Sequence, residues 1–494
     1  MTATRKLLSP VIARRRTGLL SLLIVFPLLL VDPVSASLPQ AGGAPPRAPG
    51  DPEQVGQWTE PFDLGVIGIH ATLLRTGEVL LFDFPADLGT RAKLWDPVTG
   101  GVTDVSLTRR RDLFCSGHTV LADGRVFVSG GTIYGAVRSV GTRESDVFDP
   151  ADGTWEKTDA LSYGRWYPTT IELPNGKVLI FSGQNDEERT VRRVERYDPT
   201  TGNVTTLPKS ASRYMDLYPR MILLPDGTIF WAGEEQATRR FDPASESWTF
   251  VGDMHGYRYS GATVLLPGLA RVLAMGGQGA GKATAEIIDF SDPTPKWTST
   301  ASMNRPRQHL NAVLLPDGTV LAVGGGRKGL YKDPEREAEV YDPAAGTWTL
   351  MAAQTAGRMY HSTAVLLPDG RVLSAGQNHG QYAETGEIFS PPYLFRGPRP
   401  TIGSAPSVVG CGEAFTISTP DAADIARVAL IRPGSTTHGV NFDQRYVEMS
   451  FTPGSGELAV TAPATAAEAP PGWYMLFIVD SNGVPAIAAW VHVL

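Results

Sequence analysis

Short apolar runs separated by polar turns recur along most of the chain. In residues 310–325, an apolar run is followed by the turn Leu-Pro-Asp-Gly and a second apolar run that ends in Gly-Gly. A segment with Asp-Pro, a turn and a tryptophan then follows, as in residues 339–348. Short strands with glycine in their connecting turns predict β-hairpins, because glycine tolerates the positive φ angles of tight turns.

This unit recurs about every fifty residues, and repeats near that length are typical of Kelch propellers with four strands per blade. The turn glycines of the clear copies are Gly124, Gly176, Gly227, Gly318 and Gly370. Two diverged copies turn at residues 76–77 and 266–268. Seven copies predict a seven-bladed propeller over residues 58–396, closed around a central channel.

A different pattern begins after a linker rich in proline and glycine, near residues 390–400. Residues 397–494 contain short alternating runs separated by turns, which is typical of an immunoglobulin-like β-sandwich. The predicted fold class is therefore all-β: a seven-bladed Kelch-type β-propeller followed by an immunoglobulin-like β-sandwich.

Residues 1–36 have the pattern of an export signal. Three arginines, residues 14–16, precede the apolar run 19–31, and Val34-Ser35-Ala36 has the small residues of a cleavage site. The run is shorter than the about twenty residues of a membrane span. We therefore expect a secreted or cell-surface protein without membrane contact after signal removal, with a retained anchor as the alternative. The arginines are also compatible with twin-arginine export.

Residues 37–57 are rich in proline, glycine and alanine and predict a flexible lead. The formal net charge of −7 becomes −11 without the five basic residues and one acidic residue of the signal. An acidic chain without a basic stripe argues against nucleic acid as a partner. We expect a monomer. The chain has two cysteines, Cys115 and Cys411, and for an exported protein the simplest hypothesis is one disulfide between them.

Reactive side chains occupy one position of the repeat. The residues nine positions before the clear turn glycines are Cys115, Tyr167, Tyr218, His309 and His361. Tyr360 precedes the last of them. This position lies just before the first strand of each blade, so we expect these side chains around one mouth of the channel. Imidazole and phenolate suit copper or iron, although any one of these residues alone is explained equally well by ordinary packing.

The same residues resemble the copper radical oxidases, the family of galactose oxidase and glyoxal oxidase. The resemblance runs from residue 58 to the end of the chain. Its motifs are Phe114-Cys115-Ser116-Gly117, Arg165-Trp166-Tyr167, Tyr360-His361-Ser362 and the loop 437–445. It implies that one copper is bound by four residues: Tyr167, Tyr360, His361 and His438. It further implies a thioether between Cys115 and Tyr167 that carries a radical, and a role for Tyr360 as catalytic base.

The resemblance implies an oxidase that converts small aldehydes or primary alcohols with O2 and releases H2O2. Galactose oxidase has a tryptophan over the thioether shortly after the modified tyrosine, whereas residues 183–187 hold none and the next tryptophan is Trp231. Galactose oxidase also has an N-terminal carbohydrate-binding domain, for which the lead is too short. Both departures favour a glyoxal-oxidase-like enzyme. The alternative is a non-catalytic secreted Kelch scaffold that binds glycan or protein.

The remaining candidates have supporting roles. Tyr218, His309 and Arg165 are expected to line a substrate funnel, and Gln444 and Arg445 to hold the loop that carries His438. A structural or surface role is expected for His118, His255, His379 and Cys411.

Overall fold

The computed structural model describes residues 50–494 except 87, 137, 139, 279–281 and 378. The predicted signal and most of the predicted lead therefore lie outside the described residues. One short α-helix, Pro52–Val55, is capped by Asp51, whose carboxylate accepts from Glu53 N. No helix in the described part of the chain is long and apolar enough to cross a membrane.

Consecutive antiparallel sheets make up residues 57–390. The first strands in the chain are β1 (Gln57–Trp58), β2 (Phe62–Asp63), β3 (His70–Leu73), β4 (Val79–Ala86), β5 (Gly89–Trp95), β6 (Val102–Asp104), β7 (Asp112–Val120), β8 (Val126–Thr132), β9 (Ser145–Asp149), β10 (Thr154–Lys157), β11 (Thr169–Glu172), β12 (Val178–Phe181), β13 (Glu195–Tyr197) and β14 (Val204–Thr206). They are followed by β15 (Met221–Leu223), β16 (Ile229–Trp231), β17 (Ala237–Asp242), β18 (Ser247–Asp253), β19 (Ala262–Leu265), β20 (Arg271–Met275), β21 (Ala285–Asp289), β22 (Trp297–Thr300), β23 (Gln308–Leu314), β24 (Val320–Lys328), β25 (Lys332–Pro334), β26 (Glu337–Asp342), β27 (Thr347–Ala353), β28 (Ser362–Leu366), β29 (Val372–Gly376) and β30 (Thr385–Ser390).

The sheets follow the sequence repeat. Their first strands are β3, β7, β11, β15, β19, β23 and β28, and the first strands of most neighbouring sheets contact one another, β28 and β3 included. The first strands therefore form the inner layer. The last sheet is completed by the start of the described chain, because β1 pairs with β30 through Gln57 and Ser390. Such pairing of the two ends of a propeller removes exposed edges.

The rest of the chain forms a sandwich and an inserted hairpin. Its strands are β31 (Val408–Val409), β32 (Ala414–Ser418), β33 (Ile425–Arg432), β34 (Ser435–Thr437), β35 (Val440–Asn441), β36 (Arg445–Met449), β37 (Phe451–Pro453), β38 (Glu457–Thr461), β39 (Gly472–Asp480) and β40 (Ala489–Val493). Short 3-10 helices cover Lys209–Ala211, Pro392–Phe395 and Ala422–Asp424. One sheet has the order β31-β40-β39-β33-β36 and the other β32-β38-β37, whereas β34 and β35 join the sheet of β3. The fold is all-β, as predicted.

A buried arginine–carboxylate pair recurs in the propeller sheets, close to the residue at which each first strand begins. The pairs are Arg111–Asp146, Arg165–Glu195, Arg220–Glu234, Arg258–Glu286, Arg307–Glu339 and Arg358–Glu387, with N···O distances of 2.5–3.2 Å. Several of these arginines also donate to a carbonyl at the end of the second strand, as Arg358 does to Gly376 O at 2.8 Å. These bonds satisfy the buried charges and fix the chain at the start of each first strand.

The glycines that end the second strands let neighbouring sheets approach. At Gly130, with φ of 68°, an added Cβ would lie 2.1 Å from the carbonyl oxygen of Arg165 in the next sheet. A side chain at this position would push the sheets apart, so the Gly-Gly of the sequence repeat has a packing cause.

Candidate metal centre

Non-glycine residues with positive φ lie near the start of the first strands, just before the strand or, for Cys115 and His309, within it. They are Cys115 (61°), Tyr167 (63°), Tyr218 (50°), Ser260 (60°), His309 (59°) and His361 (67°). The left-handed conformation costs about 1–3 kcal/mol for such residues and is concentrated at functional sites. The position nine residues before a turn glycine predicts all of these residues except Ser260. That residue differs because the diverged turn at residues 266–268 changes the spacing.

Backbone hydrogen bonds between sheets hold this strained position. Tyr167 N donates to Cys115 O at 2.8 Å, and Tyr218 N donates to Tyr167 O at 2.9 Å. His309 N likewise donates to Ser260 O at 2.7 Å. Each residue is therefore placed by the preceding sheet. The side chains of Cys115, Tyr167 and Tyr218 meet in one buried cluster, with Tyr360 packed against it.

The inserted hairpin brings a further side chain to this cluster. Strand β34 pairs with the inner edge of β3, with Thr437 opposite His70. His438 follows at the tip of the hairpin, is buried, and has a φ of 54°. Gln444 holds the hairpin through bonds with Leu314 N and Ala312 O. Arg445 donates to Leu223 O at 2.8 Å. These contacts agree with the expectation that Gln444 and Arg445 hold the loop that carries His438.

A sulfur and two imidazoles come together at the tip of the hairpin. Ligand atoms of Cys115, His361 and His438 all lie within 4.8 Å of one another, and Cys115 Sγ lies 3.8 Å from His438 Nε2. The two imidazole rings are 4.5 Å apart and nearly perpendicular, at 84°. This cluster is buried, and its atoms are close enough to share one metal ion.

Two tyrosines complete the cluster. The hydroxyls of Tyr167 and Tyr360 share a hydrogen bond. The Tyr360 ring lies 3.9 Å from the ring of His361, and the Tyr167 ring lies 4.7 Å from that of His438. The structure thus gathers all five predicted site residues. Two phenols and two imidazoles form the N,O donor set that suits Cu(II), so the residues present fit a copper ion.

The tautomer of His438 follows from its neighbour. Thr437 Oγ1 donates its proton to Ile69 O at 2.8 Å, so it can only accept from His438 Nδ1, 2.6 Å away. The proton of His438 is therefore on Nδ1, and the lone pair on Nε2 faces the cluster. Histidines that bind metals are oriented in this way by a hydrogen bond from their other nitrogen.

Burial keeps these groups uncharged in the absence of a cation. It raises the pKa of Tyr167 and Tyr360 well above the usual value, and the nearby Cys115 thiol adds to both shifts. Burial likewise raises the pKa of Cys115 and lowers that of His438. The imidazole is thus ready to donate its lone pair, whereas the phenols need a bound cation to ionise.

The predicted funnel residues have different surroundings. Arg165 is fully buried, pairs with Glu195 and donates to Ser182 O, so its prediction as a funnel residue is wrong. Tyr218 is also buried and donates to Ser116 O at 2.8 Å, with its ring 4.5 Å from that of Tyr167. Tyr218 therefore packs against Tyr167, whereas Arg165 is held in a buried ion pair.

His309 remains next to the cluster, with its ring 5.2 Å from that of Tyr360. Burial lowers its pKa to about 4. His118 is buried, as expected of a structural residue, whereas His255 is exposed. His379 packs against Tyr331 at 5.0 Å.

A tryptophan packs on Tyr167 from the preceding position in the chain, not from the segment that follows. Trp166, the residue before it, has its ring 4.0 Å from that of Tyr167 at an angle of 59°. Its Nε1 is buried, and the indole lies close enough to Cys115 to act on the pKa of that thiol. The segment Arg165-Trp166-Tyr167 itself carried this signal.

Both cysteines are free thiols in the described chain, Cys115 buried and Cys411 exposed. The hypothesis of a disulfide between them is therefore wrong. Cys411 lies at the start of the sandwich and donates to the carbonyl of Leu494 at 3.6 Å.

Comparison with known proteins gives matches over both parts of the chain. The family model of the glyoxal oxidase N-terminus matches residues 86–393, and that of the galactose oxidase-like early set domain matches residues 399–493. The aldehyde oxidase GLOX of Vitis pseudoreticulata is 29% identical over 514 residues, which cover 87% of this chain and 95% of that protein. A galactose oxidase of Gibberella zeae is 27% identical over 499 residues, which cover 89% and 71%.

A fungal alcohol oxidase solved in complex with copper has a TM-score of 0.80 and 26% identity, covering 89% of this chain and all of that one. The prediction of a propeller followed by a sandwich is confirmed by these matches. The number of blades and the boundaries at residues 36, 57 and 396 stay predictions.

Proposed function

This chain belongs to the copper radical oxidase family, and within that family we propose a glyoxal-oxidase-like enzyme that oxidises small aldehydes or primary alcohols with O2 and releases H2O2. The observation that carries the proposal is that five side chains meet in one buried cluster. They are Cys115, Tyr167, Tyr360, His361 and His438. A non-catalytic scaffold would not need this set.

The proposed copper ligands are Tyr167, Tyr360, His361 and His438. When bound, copper would supply the charge that lowers the pKa of the phenols and an acceptor for one electron. His438 would bind through Nε2, whose lone pair faces the cluster because Thr437 accepts from Nδ1. Cys115 would be consumed in a covalent bond rather than serve as a ligand.

We propose a thioether between Cys115 Sγ and the ring of Tyr167. The bond forms with loss of one hydrogen from the thiol and one from the ring, and O2 accepts both to give H2O2. The two residues pack in one cluster, and Tyr167 N donates to Cys115 O at 2.8 Å. A sulfur substituent lowers the oxidation potential of a phenol, so the crosslinked Tyr167 would hold the radical.

The two tyrosines would then divide the chemistry. Tyr360 would take the hydroxyl proton of the substrate, which requires its phenolate. Because burial raises its pKa, the base exists only when a cation occupies the site. Tyr167 would abstract hydrogen from the substrate carbon. In total an alcohol and O2 give an aldehyde and H2O2, and an aldehyde hydrate and O2 give a carboxylic acid and H2O2.

The proposal extends to the substrate, to export and to the oligomeric state. The preference for small aldehydes is supported by the match of the propeller to glyoxal oxidases and by the aldehyde oxidase relative, 95% of which is covered. Export is supported by the charge and hydrophobic pattern of residues 1–36. We further propose that the mature enzyme is a monomer whose partners are O2 and a small substrate.

The test uses the mature protein, loaded with copper and then oxidised. We expect a visible absorption band of the tyrosyl radical and peroxide release that is faster on glyoxal and methylglyoxal than on galactose or glycerol. Faster release on galactose would overturn the substrate preference alone. Absence of both the radical band and peroxide on every substrate would overturn the oxidase and favour the scaffold.

A further inference from the structure

Two buried histidines outside the proposed ligand set lie beside the cluster. His70 and His118 are fully buried, and their rings are 5.2 Å apart. The His70 ring is 6.1 Å from that of His438. The proposed reaction uses neither residue, although burying an imidazole carries a cost unless its polar atoms are satisfied.

His70 makes one bond that the sheet does not provide. The register of β7 against β8 shifts between Asp112 and Ser116, so Cys115 lies in a bulge without a partner across the sheet. Its buried N–H donates instead to His70 Nε2 at 3.1 Å. An unsatisfied buried N–H is destabilising. This imidazole therefore satisfies the amide of a residue that is already strained, with φ of 61°.

The imidazole itself is held firmly. It stacks on Phe82 at 4.3 Å and an angle of 4°. On the backbone, His70 lies opposite Phe82 in β4 and opposite Thr437 in β34. His70 therefore lies between Cys115 and the hairpin that presents His438. Because the Cys115 N–H donates to Nε2, that nitrogen carries the lone pair, and the proton of the His70 ring is on Nδ1.

We propose that His70 is a positioning residue for formation of the thioether. By accepting from Cys115 N–H, it holds the cysteine in the left-handed conformation that directs Sγ into the cluster with Tyr167. This role rests on the proposed function. In the reaction it assists, the S–H and a ring C–H are replaced by an S–C bond, and O2 becomes H2O2.

The test measures the rate of crosslinking in the copper-free full chain after addition of copper and O2. The readout is the loss of two hydrogen masses from the intact protein, together with loss of the reactive Cys115 thiol. In His70→Phe the stacking surface remains but the acceptor is lost. We expect crosslinking at least about tenfold slower, since tenfold corresponds to about 1.4 kcal/mol.

Two matched variants separate positioning from packing. In His70→Gln the amide oxygen can reach the place of Nε2, and we expect a rate close to that of the wild type. His118→Phe alters an equally buried imidazole that also packs against Phe82, at 5.5 Å, but the Cys115 N–H donates to His70. We expect it to crosslink at the wild-type rate. If His70→Phe fails to fold, His70→Asn replaces it, because its shorter amide cannot reach the Nε2 position.

The outcomes are distinguishable. A wild-type rate in His70→Phe or His70→Asn, or an equally slow rate in His70→Gln, would overturn the role of His70 while the proposed function stands. Equal slowing in His118→Phe would also overturn it, because packing alone would then explain the effect. Failure of the wild type to crosslink would overturn the thioether and this role together.

Discussion

The propeller and the inserted hairpin supply the same site by different means. In the propeller, one strained position recurs from sheet to sheet, held by bonds such as Tyr167 N to Cys115 O and by buried arginine pairs. The hairpin supplies His438 once, held by its pairing with β3 and by Thr437. The repeated frame has many supports for each side chain, whereas His438 depends on the docking of one hairpin.

The difference in the number of supporting contacts indicates which part of the site is lost most easily. A repeated scaffold can place several reactive groups around one mouth, but all of them come from first strands of similar geometry. A ligand approaching from another direction requires a segment from outside the repeat. Copper binding should therefore report on docking of the sandwich as well as on folding of the propeller.

The largest expected effect comes from removing the hairpin ligand. His438→Ala should lower kcat/KM by about a thousandfold or more and reduce bound copper, because it removes a proposed copper ligand that packs against Tyr167 and His361. The matched variant His309→Ala alters a repeated position whose ring lies 5.2 Å from Tyr360, and should cost less than about tenfold. Copper content and peroxide release measure both. Equal losses would contradict the assignment of His438 as the ligand.

The buried arginine–carboxylate pairs of the propeller should contribute to the free energy of unfolding. Arg358→Met leaves the buried Glu387 carboxylate unpaired and should lower the free energy of unfolding by about 3–5 kcal/mol. The control is Arg371→Met, which breaks a partly exposed pair with Asp369 and should cost less than about 1 kcal/mol. Denaturant unfolding compares them. A similar small loss in both variants would show that the buried pair does not hold the sheet.

The orientation of His438 can be weakened without removing it. Thr437→Val deletes the acceptor of His438 Nδ1–H while keeping the side-chain shape, and should lower copper affinity about 10–100-fold. Thr436→Val is the neighbouring control, since its hydroxyl makes only a 3.4 Å contact with Asn311. Copper titration against a competing chelator measures both. Unchanged affinity in Thr437→Val would reject the assigned tautomer.

The smallest effect is expected for the indole beside Tyr167. Trp166→Phe keeps an aromatic surface but changes the ring that packs at 4.0 Å, so the radical band should shift and kcat/KM should fall less than about tenfold. Trp155→Phe is the control, because that indole lies in the outer strand β10 and bonds to Val105 O. An unshifted band in Trp166→Phe would show that the indole does not influence the radical.

Much of the site could be predicted because the repeat converts spacing into position. Counting from the turn glycines gave Cys115, Tyr167 and His361, which meet in space although they lie far apart in the chain. His438 has no such register, so only the resemblance to a family indicated it. The class of the fold was predictable for the same reason, since each repeat encodes one sheet.

The positions that the sequence did not predict correctly also have physical explanations. Arg165 stands next to a site residue in the sequence, but its charge is buried against Glu195, as arginines are in other sheets at this level. His70 precedes a diverged turn, and its role depends on a bulge at Cys115 that no spacing reveals. Spacing predicts which residues share a level of the propeller, but not which way each side chain points.

The most direct measurement of the central claim is peptide mapping of the mature protein before and after exposure to copper and O2. We predict a linked peptide that contains both Cys115 and Tyr167, lighter by two hydrogens than the sum of the separate peptides. It should be absent from the copper-free sample and from Cys115→Ser. A protein that binds copper and still carries an unmodified Cys115 thiol after oxidation would contradict the assignment of this site as a radical copper centre.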